Sequence, residues 1–395
     1  MNESKTLSPK QILFMSATAG ICVANIYYSQ PILNQIALSL HISLKSAGYL
    51  SVLSQAGYGL GLFFITPFGD KIDRKRLILW LQIGLLISLG IMASATGIIA
   101  LYISSLTIGI FAVTAQVILP MAASLTSENR GKIVGIIFTG ILTGVLAARV
   151  VSGYISEYLG WRYVYIVSAA LVLISAIIMQ TDFPSTKDRF EGSYSQLLSS
   201  VTRQFKRFSI LRRTALVGAL TFGTFSSFWV ALTFHLSGAP FYFKSDTIGL
   251  FGLLAIGSAL FVPIIGKLFD KYNNPKKSLL FTIGAIIVGL LILFFFPTSL
   301  IGLWLAVILI DIGVQATQVT NIALIYTLDA TANSRINTVY MTLYFIGGAL
   351  GAFVGISCWQ LGGWNAVVIQ MILFATVALL VAVSNKSSIT KSLSG

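Results

Sequence analysis

Residues 77–121 read LILWLQIGLLISLGIMASATGIIALYISSLTIGIFAVTAQVILPM and contain no charged side chain. The stretch divides near Thr96 into two apolar runs, 77–96 and 99–121. Each run is close to the roughly 20 residues that a helix needs to cross the hydrocarbon core of a bilayer. We therefore predict two transmembrane helices here, joined by a short turn.

Ten further apolar runs of similar length occur along the chain. They lie at 11–33, 46–66, 131–154, 161–181, 214–236, 247–266, 278–296, 299–323, 336–357 and 364–384. A transmembrane β-barrel would instead show alternating segments of about ten residues. The first run is longer than the apolar core of a cleaved signal peptide, so we expect it to remain as the first helix. The sequence predicts an all-α integral membrane protein with twelve transmembrane helices.

The composition supports a membrane protein, with 56% hydrophobic and 10% charged residues and a mean hydropathy of +0.88. Soluble domains carry about 25% charged residues. The net charge of +14 does not indicate a nucleic-acid partner, because the basic residues lie in short segments between apolar runs. Cys22 and Cys358 lie within apolar runs and indicate neither a disulfide nor a metal site.

The basic residues also predict the orientation of the chain. Of the 26 Lys and Arg residues, 22 fall on the side of the two termini. The opposite side carries Lys45, Arg162 and Lys244, and Arg149 lies inside the fifth predicted span. Because loops rich in Lys and Arg stay in the cytoplasm, we expect a multi-pass protein of a bacterial-type inner membrane with both termini cytoplasmic.

One long hydrophilic segment, residues 182–213, separates the predicted six-helix halves 1–181 and 214–395. Within it, one face of a predicted amphipathic helix carries Leu197, Leu198, Val201, Phe205 and Phe208, and Arg203, Lys206 and Arg207 lie elsewhere on the helix. Such a helix can lie among anionic lipid headgroups. The alternative is a basic cytoplasmic linker in solvent.

The two halves repeat each other at an offset of about 200 residues. Gly160-Trp161-Arg162 begins the sixth span and Gly363-Trp364-Asn365 begins the twelfth, while Arg130 and Arg335 begin the fifth and eleventh. Parallel repeats of this kind are typical of transporters in which one half moves against the other around a site near the midplane.

Glycines spaced four residues apart allow close helix crossing. The pairs are Gly57 and Gly61, Gly140 and Gly144, and Gly347 and Gly351. We expect these pairs at the junction of the halves.

The loop GDKIDRKR at 69–76 resembles the signature G-x-x-x-D-R-x-G-R-R of the major facilitator superfamily, with Thr66 and Asp73 at its two glycine positions. The segments NIYYSQP at 25–31 and SRINTVYMT at 334–342 resemble the twelve-helix drug:proton antiporter branch. The resemblance implies two pseudo-symmetric six-helix bundles. It also implies a central cavity lined by the first, fourth, seventh and tenth helices.

Asp311 is the most informative single residue, because it lies about 18 Å deep in the tenth span. An ionised carboxylate at that depth is costly, so its charge would depend on access to water. Gln315 and Gln318 follow on the same helical face. Asp311 is therefore a candidate for proton coupling or substrate contact, and the alternative is a neutral side chain that joins helices.

Arg149 is the second charge inside a predicted span. It could supply a counter-charge for Asp311, anchor an anionic group of a substrate, or extend to the membrane surface. Further candidates for proton coupling or substrate contact are Asn25 and Tyr28 in the first span, Gln116 in the fourth, His235 in the seventh and Tyr344 in the eleventh. His235 and Tyr344 could also be interface residues that make ordinary hydrogen bonds.

Charges on the predicted cytoplasmic side are candidates for a gate. Asp70, with Arg74 beside it, would meet Arg335 and the positive end of the eleventh helix. Asp270 would meet Arg130 at the fifth helix in the same way. The alternative is that these charges only set the topology.

These features predict a secondary active transporter that exports a small organic or amphiphilic molecule in exchange for protons. The sequence contains no G-x-x-x-x-G-K-[ST] loop, so we expect no cofactor and the proton gradient as energy source. We expect a small-molecule substrate, a lipid bilayer, no nucleic acid and a functional monomer. The alternatives are proton-coupled uptake of a nutrient, siderophore or metabolite, a membrane enzyme, and a receptor or scaffold. The sequence offers little support for an enzyme. Its two histidines, His41 and His235, are far apart, and it contains no G-x-S-x-G motif.

Overall fold

The structure is a computed structural model. It describes residues 7–126, 130–185, 192–255, 257, 274–329 and 332–384. Two predicted gate positions, Asp270 and the side chain of Arg130, lie outside the described residues.

The described chain is helical and contains no strand. Helices within the predicted spans are, in order, Pro9–Ala24 with Leu33–Ser39, Leu44–Phe64, Arg74–Ser94, Ile98–Phe111 with Thr114–Ser124, Arg130–Leu159, Trp161–Asp182, Ser209–Ser237, Ser245–Ala255, Pro275–Phe295, Leu300–Tyr326 and Asn333–Val383. The all-α prediction is therefore confirmed for the described ranges. The predicted eighth span continues beyond them.

Nine of the helices in the described part of the chain are long and apolar enough to cross a membrane. One of these, Asn333–Val383, holds two predicted spans, because Gly362 and Gly363 interrupt its helical geometry. The first predicted span is divided between two shorter helices. These features are consistent with the predicted twelve spans.

Polar N-cap residues show why several of the helices begin where they do. Ser8 and Gln11 form a reciprocal capping box at the start of the first helix. The side chains of Ser43, Asp73 and Ser299 each accept a hydrogen bond from a backbone N–H in the first turn of the following helix. These bonds satisfy donors that have no partner inside the helix.

The sequence repeat reappears in the backbone. Gly160 and Gly363 precede Trp161 and Trp364, and they have φ values of +98° and +61°. Residues with a Cβ rarely adopt a positive φ. Glycine therefore permits a sharp turn between two spans at both places. Trp161 and Trp364 are both buried.

Two compact units make up the chain. Unit 1 comprises Met1–Ser199 with Thr233–Leu253, and unit 2 comprises Ser200–Leu232 with Leu254–Gly395. The boundary at Ser199 falls within the predicted linker. The end of the seventh span, from Thr233, and the chain that follows it to Leu253 thus belong to the unit that holds the first six spans.

The paired glycines bring helix backbones together inside these units. A Cβ on Gly144 would lie 2.3 Å from the backbone oxygen of Gly20, and a Cβ on Gly351 would lie 2.1 Å from that of Gly223. A Cβ on Gly57 would lie 2.1 Å from the oxygen of Leu106. Each contact joins helices of a single unit, so our expectation that these pairs serve the junction of the halves is wrong for these contacts.

Many large apolar side chains on the long helices are exposed rather than buried. Examples are Trp80, Ile87, Ile174, Phe281 and Leu373. Exposed apolar surface on this scale is unfavourable in water, and it suits helices whose outer faces contact lipid.

The linker contains the helix Tyr194–Arg207, as predicted. On its predicted apolar face, protein covers Leu197 and Val201, which are each 1% exposed, whereas Phe205 is 37% exposed. Tyr194 stacks on Phe68 with ring centroids 4.1 Å apart. The basic residues Arg203, Lys206 and Arg207 are exposed, and the placement of this helix among lipid headgroups stays a prediction.

Candidate functional site

The first span leaves the α-helical geometry between Ala24 and Leu33. Pro31 has no N–H, so the Tyr27 carbonyl cannot accept the usual hydrogen bond from residue 31. It accepts instead from the backbone N of Gln30 at 3.2 Å, and the Ala24 carbonyl accepts from Tyr27 at 2.9 Å. The segment is therefore wound more tightly than an α-helix.

Asn25 stabilises the start of this tight segment. Its Nδ2 donates to the backbone oxygens of Ile21 at 2.9 Å and Cys22 at 3.3 Å, and its Oδ1 accepts from Ser168 at 2.7 Å. The side chain is 3% exposed. Our prediction of a substrate or proton role for Asn25 stays a prediction, whereas its contacts connect the first and sixth spans.

Arg149 is fully buried in unit 1. Its Nε donates to Oε1 of Gln30 at 2.8 Å, and its guanidinium carbon lies 5.1 Å from the centroid of the Tyr27 ring. The side chain is therefore directed at the first span, and our alternative that it extends to the membrane surface is wrong. A guanidinium at this place brings a permanent positive charge into the helix bundle.

The end of the seventh span also reaches this region of unit 1. Thr233 donates from Oγ1 to the backbone oxygen of Gln30 at 2.8 Å. His235 follows two residues later in the last turn of its helix, is 8% exposed, and contacts the ring of Phe241 at 5.4 Å. Gln30 thus receives hydrogen bonds on both its side chain and its backbone.

An ion pair lies beyond Arg149 along the fifth span. Lys244 and Glu157 approach to 2.9 Å, and Gln35 donates to the second oxygen of Glu157 at 3.3 Å. The hydrogen bond to Glu157 raises the pKa of the Lys244 ammonium above its ordinary value. Ser156 donates to Gln35 and completes the network.

Two further predicted residues of unit 1 lie in its interior. Tyr28 is 7% exposed. Gln116 is half-buried and donates from Nε2 to the hydroxyl of Tyr58 at 3.3 Å. Their predicted roles in transport stay predictions.

Asp311 is fully buried in unit 2, in the middle of the helix Leu300–Tyr326. Its position is about 16 Å from the start of that helix and about 22 Å from its end. The carboxylate is therefore not on the lipid-exposed surface. Gln315 and Gln318 follow on the same helix, are half-buried, and continue the polar stripe. The idea that Arg149 supplies a counter-charge for Asp311 stays a prediction.

An aromatic cluster lies between the seventh and eleventh spans of unit 2. Tyr344 is 4% exposed and stacks on Phe222 with ring centroids 4.1 Å apart. Phe225 and Phe345 lie 5.6 Å and 5.1 Å from Phe222, and Tyr340 lies 5.9 Å from Tyr344. Clustered rings of this kind offer a flat apolar surface.

The signature loop makes local contacts in unit 1. Asp70 accepts from Arg74 at 3.3 Å, and Arg74 also donates to the backbone oxygen of Pro120 and to Ser124, both at 3.2 Å. Lys75 donates to the last carbonyls of the sixth span, at 2.7 Å and 2.6 Å. Arg335 is half-buried near the start of its helix. The gate between Asp70 and Arg335 stays a prediction.

Sequence reasoning missed several of these neighbours. Gln30 and Tyr27 contact Arg149 and Thr233 contacts Gln30, yet only the charge of Arg149 stands out in the sequence. Pro31 is the one local signal, because it marks where the first span must leave the α-helix. Within the described ranges, no three His, Cys, Asp or Glu side chains cluster closely enough to hold a metal ion.

Comparison with known proteins places this arrangement in a family. The sequence profile of the Major Facilitator Superfamily matches residues 13–356. The chain is 37% identical over 376 residues to the uncharacterized transporter YgaY of Escherichia coli O157:H7, which covers 95% of both chains. It is 24% identical over 359 residues to a probable sugar efflux transporter of Helicobacter acinonychis, covering 89% of this chain and 88% of the relative.

A solved structure shares the fold. The nucleoside transporter NupG superimposes with a TM-score of 0.76 and 15% identity, covering 95% of this chain and 99% of NupG. At that identity the likeness concerns the fold alone.

Proposed function

The chain belongs to the Major Facilitator Superfamily, and on that premise we propose that it is a proton-coupled secondary transporter. The proposed reaction is export of a small organic or amphiphilic solute by alternating access, with the proton gradient as the energy source and no cofactor. The Helicobacter relative is named a probable sugar efflux transporter, and that name supports the direction of export. The proposed alternative is proton-coupled uptake of a nutrient, siderophore or metabolite.

The burial of Asp311 is the observation that carries this proposal. A carboxyl group that is 0% exposed near the middle of a transmembrane helix is costly when ionised. Its protonation state therefore depends on whether water can reach it, which couples proton binding to a change in access. Gln315 and Gln318 add hydrogen-bonding groups for a polar solute along the same helix.

The aromatic cluster around Phe222 and Tyr344 supports the amphiphilic part of the proposed substrate. Stacked rings bind apolar or planar groups, and the polar stripe of the tenth span binds hydrogen-bonding groups. Both lie within unit 2. A substrate with one apolar and one polar portion would use both surfaces.

The proposed location is the inner membrane of a bacterial-type cell, with both termini cytoplasmic and the monomer as the functional unit. The distribution of Lys and Arg supports the orientation, and the curated relatives named above are bacterial proteins.

Solute-induced proton movement in proteoliposomes tests the proposal. Vesicles containing the pH dye pyranine would be exposed to arabinose, ethidium and benzoate under an imposed pH gradient. We expect at least one probe to move protons with the wild-type protein, and Asp311→Asn to abolish that movement. Asp182→Asn is the control, because Asp182 is exposed.

The folding of each variant would be checked by its thermal unfolding midpoint. Transport by Asp311→Asn with an unchanged response to the pH gradient would contradict the proposed coupling. Reversing the gradient separates export from uptake, because only the coupled direction accumulates the probe against its concentration.

A further inference from the structure

We infer that a cavity in unit 2 binds the headgroup of an anionic lipid with a free hydroxyl, as phosphatidylglycerol has. Arg213 binds the phosphate, and Asn321 accepts a hydrogen bond from a glycerol hydroxyl. The inference goes beyond the proposed function, because it concerns a lipid of the surrounding bilayer and not the transported solute.

The cavity lies among four spans of unit 2. The seventh, ninth, tenth and twelfth spans contribute to its lining Arg213, Leu279, Asn321 and Val381. Asn321 lies about 8 Å before the end of its helix, and Leu279 lies about 6 Å after the start of its own. In the proposed orientation these helix ends are cytoplasmic. The cavity is therefore near the depth of the lipid headgroups.

The amide of Asn321 is the first part of the argument. The side chain is 0% exposed, and its Nδ2 donates to the backbone oxygen of Thr214 at 3.5 Å and to the hydroxyl of Tyr340 at 3.3 Å. Because a carbonyl can only accept, the amide oxygen forms the other end of the group. Among the described residues, this Oδ1 has no hydrogen-bond donor. A buried acceptor in this state is unfavourable unless a bound group donates to it.

The charge of Arg213 is the second and independent part. Its side chain lines the same cavity, is exposed, and makes no hydrogen bond or ion pair with any described residue. The neighbouring Arg212, by contrast, donates to two backbone oxygens of the linker helix at 2.9 Å and 2.8 Å. A guanidinium with free donors binds phosphate oxygens well. Basic pockets between transmembrane helices on the cytoplasmic side bind anionic headgroups.

Size and charge select the group that reaches Asn321. The cavity has a volume of about 30 Å³, which is room for about two water-sized groups. A choline headgroup is too large and has no donor. The ammonium of ethanolamine would donate, but it would bring a second positive charge close to Arg213. A phosphoglycerol headgroup places its phosphate at the exposed arginine and a small, neutral donor at the buried acceptor.

A matched pair of lipids isolates the hydroxyl. Purified full-length protein in a neutral detergent would be heated with dioleoyl phosphatidylglycerol or with dioleoyl phosphatidylethanol, which has the same charge but no free hydroxyl. We expect the apparent Kd from the shift of the unfolding midpoint to be about three- to tenfold lower for phosphatidylglycerol. Dioleoyl phosphatidylcholine should raise the midpoint least. Equal apparent Kd values for the two anionic lipids would overturn the inference, because water alone would then satisfy Asn321.

Variants assign the charge preference to Arg213. Arg213→Gln should raise the apparent Kd of both anionic lipids about tenfold, towards that of phosphatidylcholine. Arg203→Gln is the matched control, because it removes an exposed arginine of the linker helix, and its Kd values should stay unchanged. An equal loss in the two variants would contradict a specific site.

Two further variants assign the hydroxyl preference to the cavity. Asn321→Leu removes the acceptor, so phosphatidylglycerol and phosphatidylethanol should bind equally. Because Asn321 also contacts Thr214 and Tyr340, Ala382→Phe provides a second test that leaves the amide intact and fills the cavity from a half-buried wall. The two lipids are compared within each variant, so a lower stability of the variant does not affect the result. A preference for phosphatidylglycerol that survives in both variants would rule out the site.

Discussion

At the scale of single residues, Asn25 shows how a polar side chain in a membrane helix can serve the backbone. Its amide nitrogen lies within 3.3 Å of two backbone oxygens, and its amide oxygen accepts from Ser168. In the tight segment of the first span, backbone N–H groups bond to different carbonyls than they would in an α-helix. The segment therefore depends on the side-chain hydrogen bonds of Asn25.

Asn25→Asp should therefore destabilise the protein more than Ser168→Ala. The aspartate would place an oxygen against the carbonyls of Ile21 and Cys22, where a donor is needed, and would bury a charge. We expect a loss of about 1–3 kcal/mol beyond that of Ser168→Ala, which removes only one of the bonds made by Asn25. Unfolding midpoints in detergent measure both variants, and equal midpoints would show that the Asn25 donor is unimportant.

The pair of Lys244 and Glu157 predicts a dependence on alkaline pH. The folded-state pKa of Lys244 is raised, so the contribution of the pair is complete at neutral pH and is lost as the pH rises through that value. Wild-type protein should therefore unfold at a higher temperature than Lys244→Met at pH 7, and the difference should shrink in strongly alkaline buffer. A difference that stays constant with pH would exclude the ion pair as its cause.

At the scale of helices, glycines decide how closely spans can approach. The fifth span contains two glycines with opposite surroundings. A Cβ on Gly144 would lie 2.3 Å from the Gly20 backbone oxygen, whereas a Cβ on Gly135 would meet nothing within 4 Å. The same helix, Arg130–Leu159, thus supplies both a test and its control.

Gly144→Ala should force the first and fifth spans apart and cost about 1–3 kcal/mol. Gly135→Ala should be neutral or stabilising by up to about 1 kcal/mol, because alanine favours the helix. Thermal unfolding compares the two variants directly. A Gly144→Ala protein as stable as Gly135→Ala would show that the two helices do not pack at this distance.

At the scale of the whole molecule, the orientation across the membrane can be tested by labelling. Tyr242 is 71% exposed in the loop after the seventh span, and Arg203 is exposed on the linker helix. In a Cys358→Ser background, a membrane-impermeant maleimide should label Tyr242→Cys in intact cells. It should label Arg203→Cys only after the cells are permeabilised. The reverse pattern would place the termini outside.

Much of this architecture follows from local sequence. Helix length and position depend on runs of apolar residues, and a chain in lipid must form its backbone hydrogen bonds within each span. The side chains of Ser8, Asp73 and Ser299 cap the starts of helices. Gly160 and Gly363 permit the same turn in both halves. The depth of Asp311 follows from counting along one helix.

The neighbours of the buried charges depend on tertiary structure alone. Gln30 and Arg149 are 119 residues apart, and Thr233 joins them from another 84 residues along the chain. Such contacts arise from how helices pack and rotate, which the apolar pattern of a single span does not specify. The sequence by itself determined where the helices lie and which charges fall within them, and the folded protein decided that Arg149 is buried and which side chains it meets.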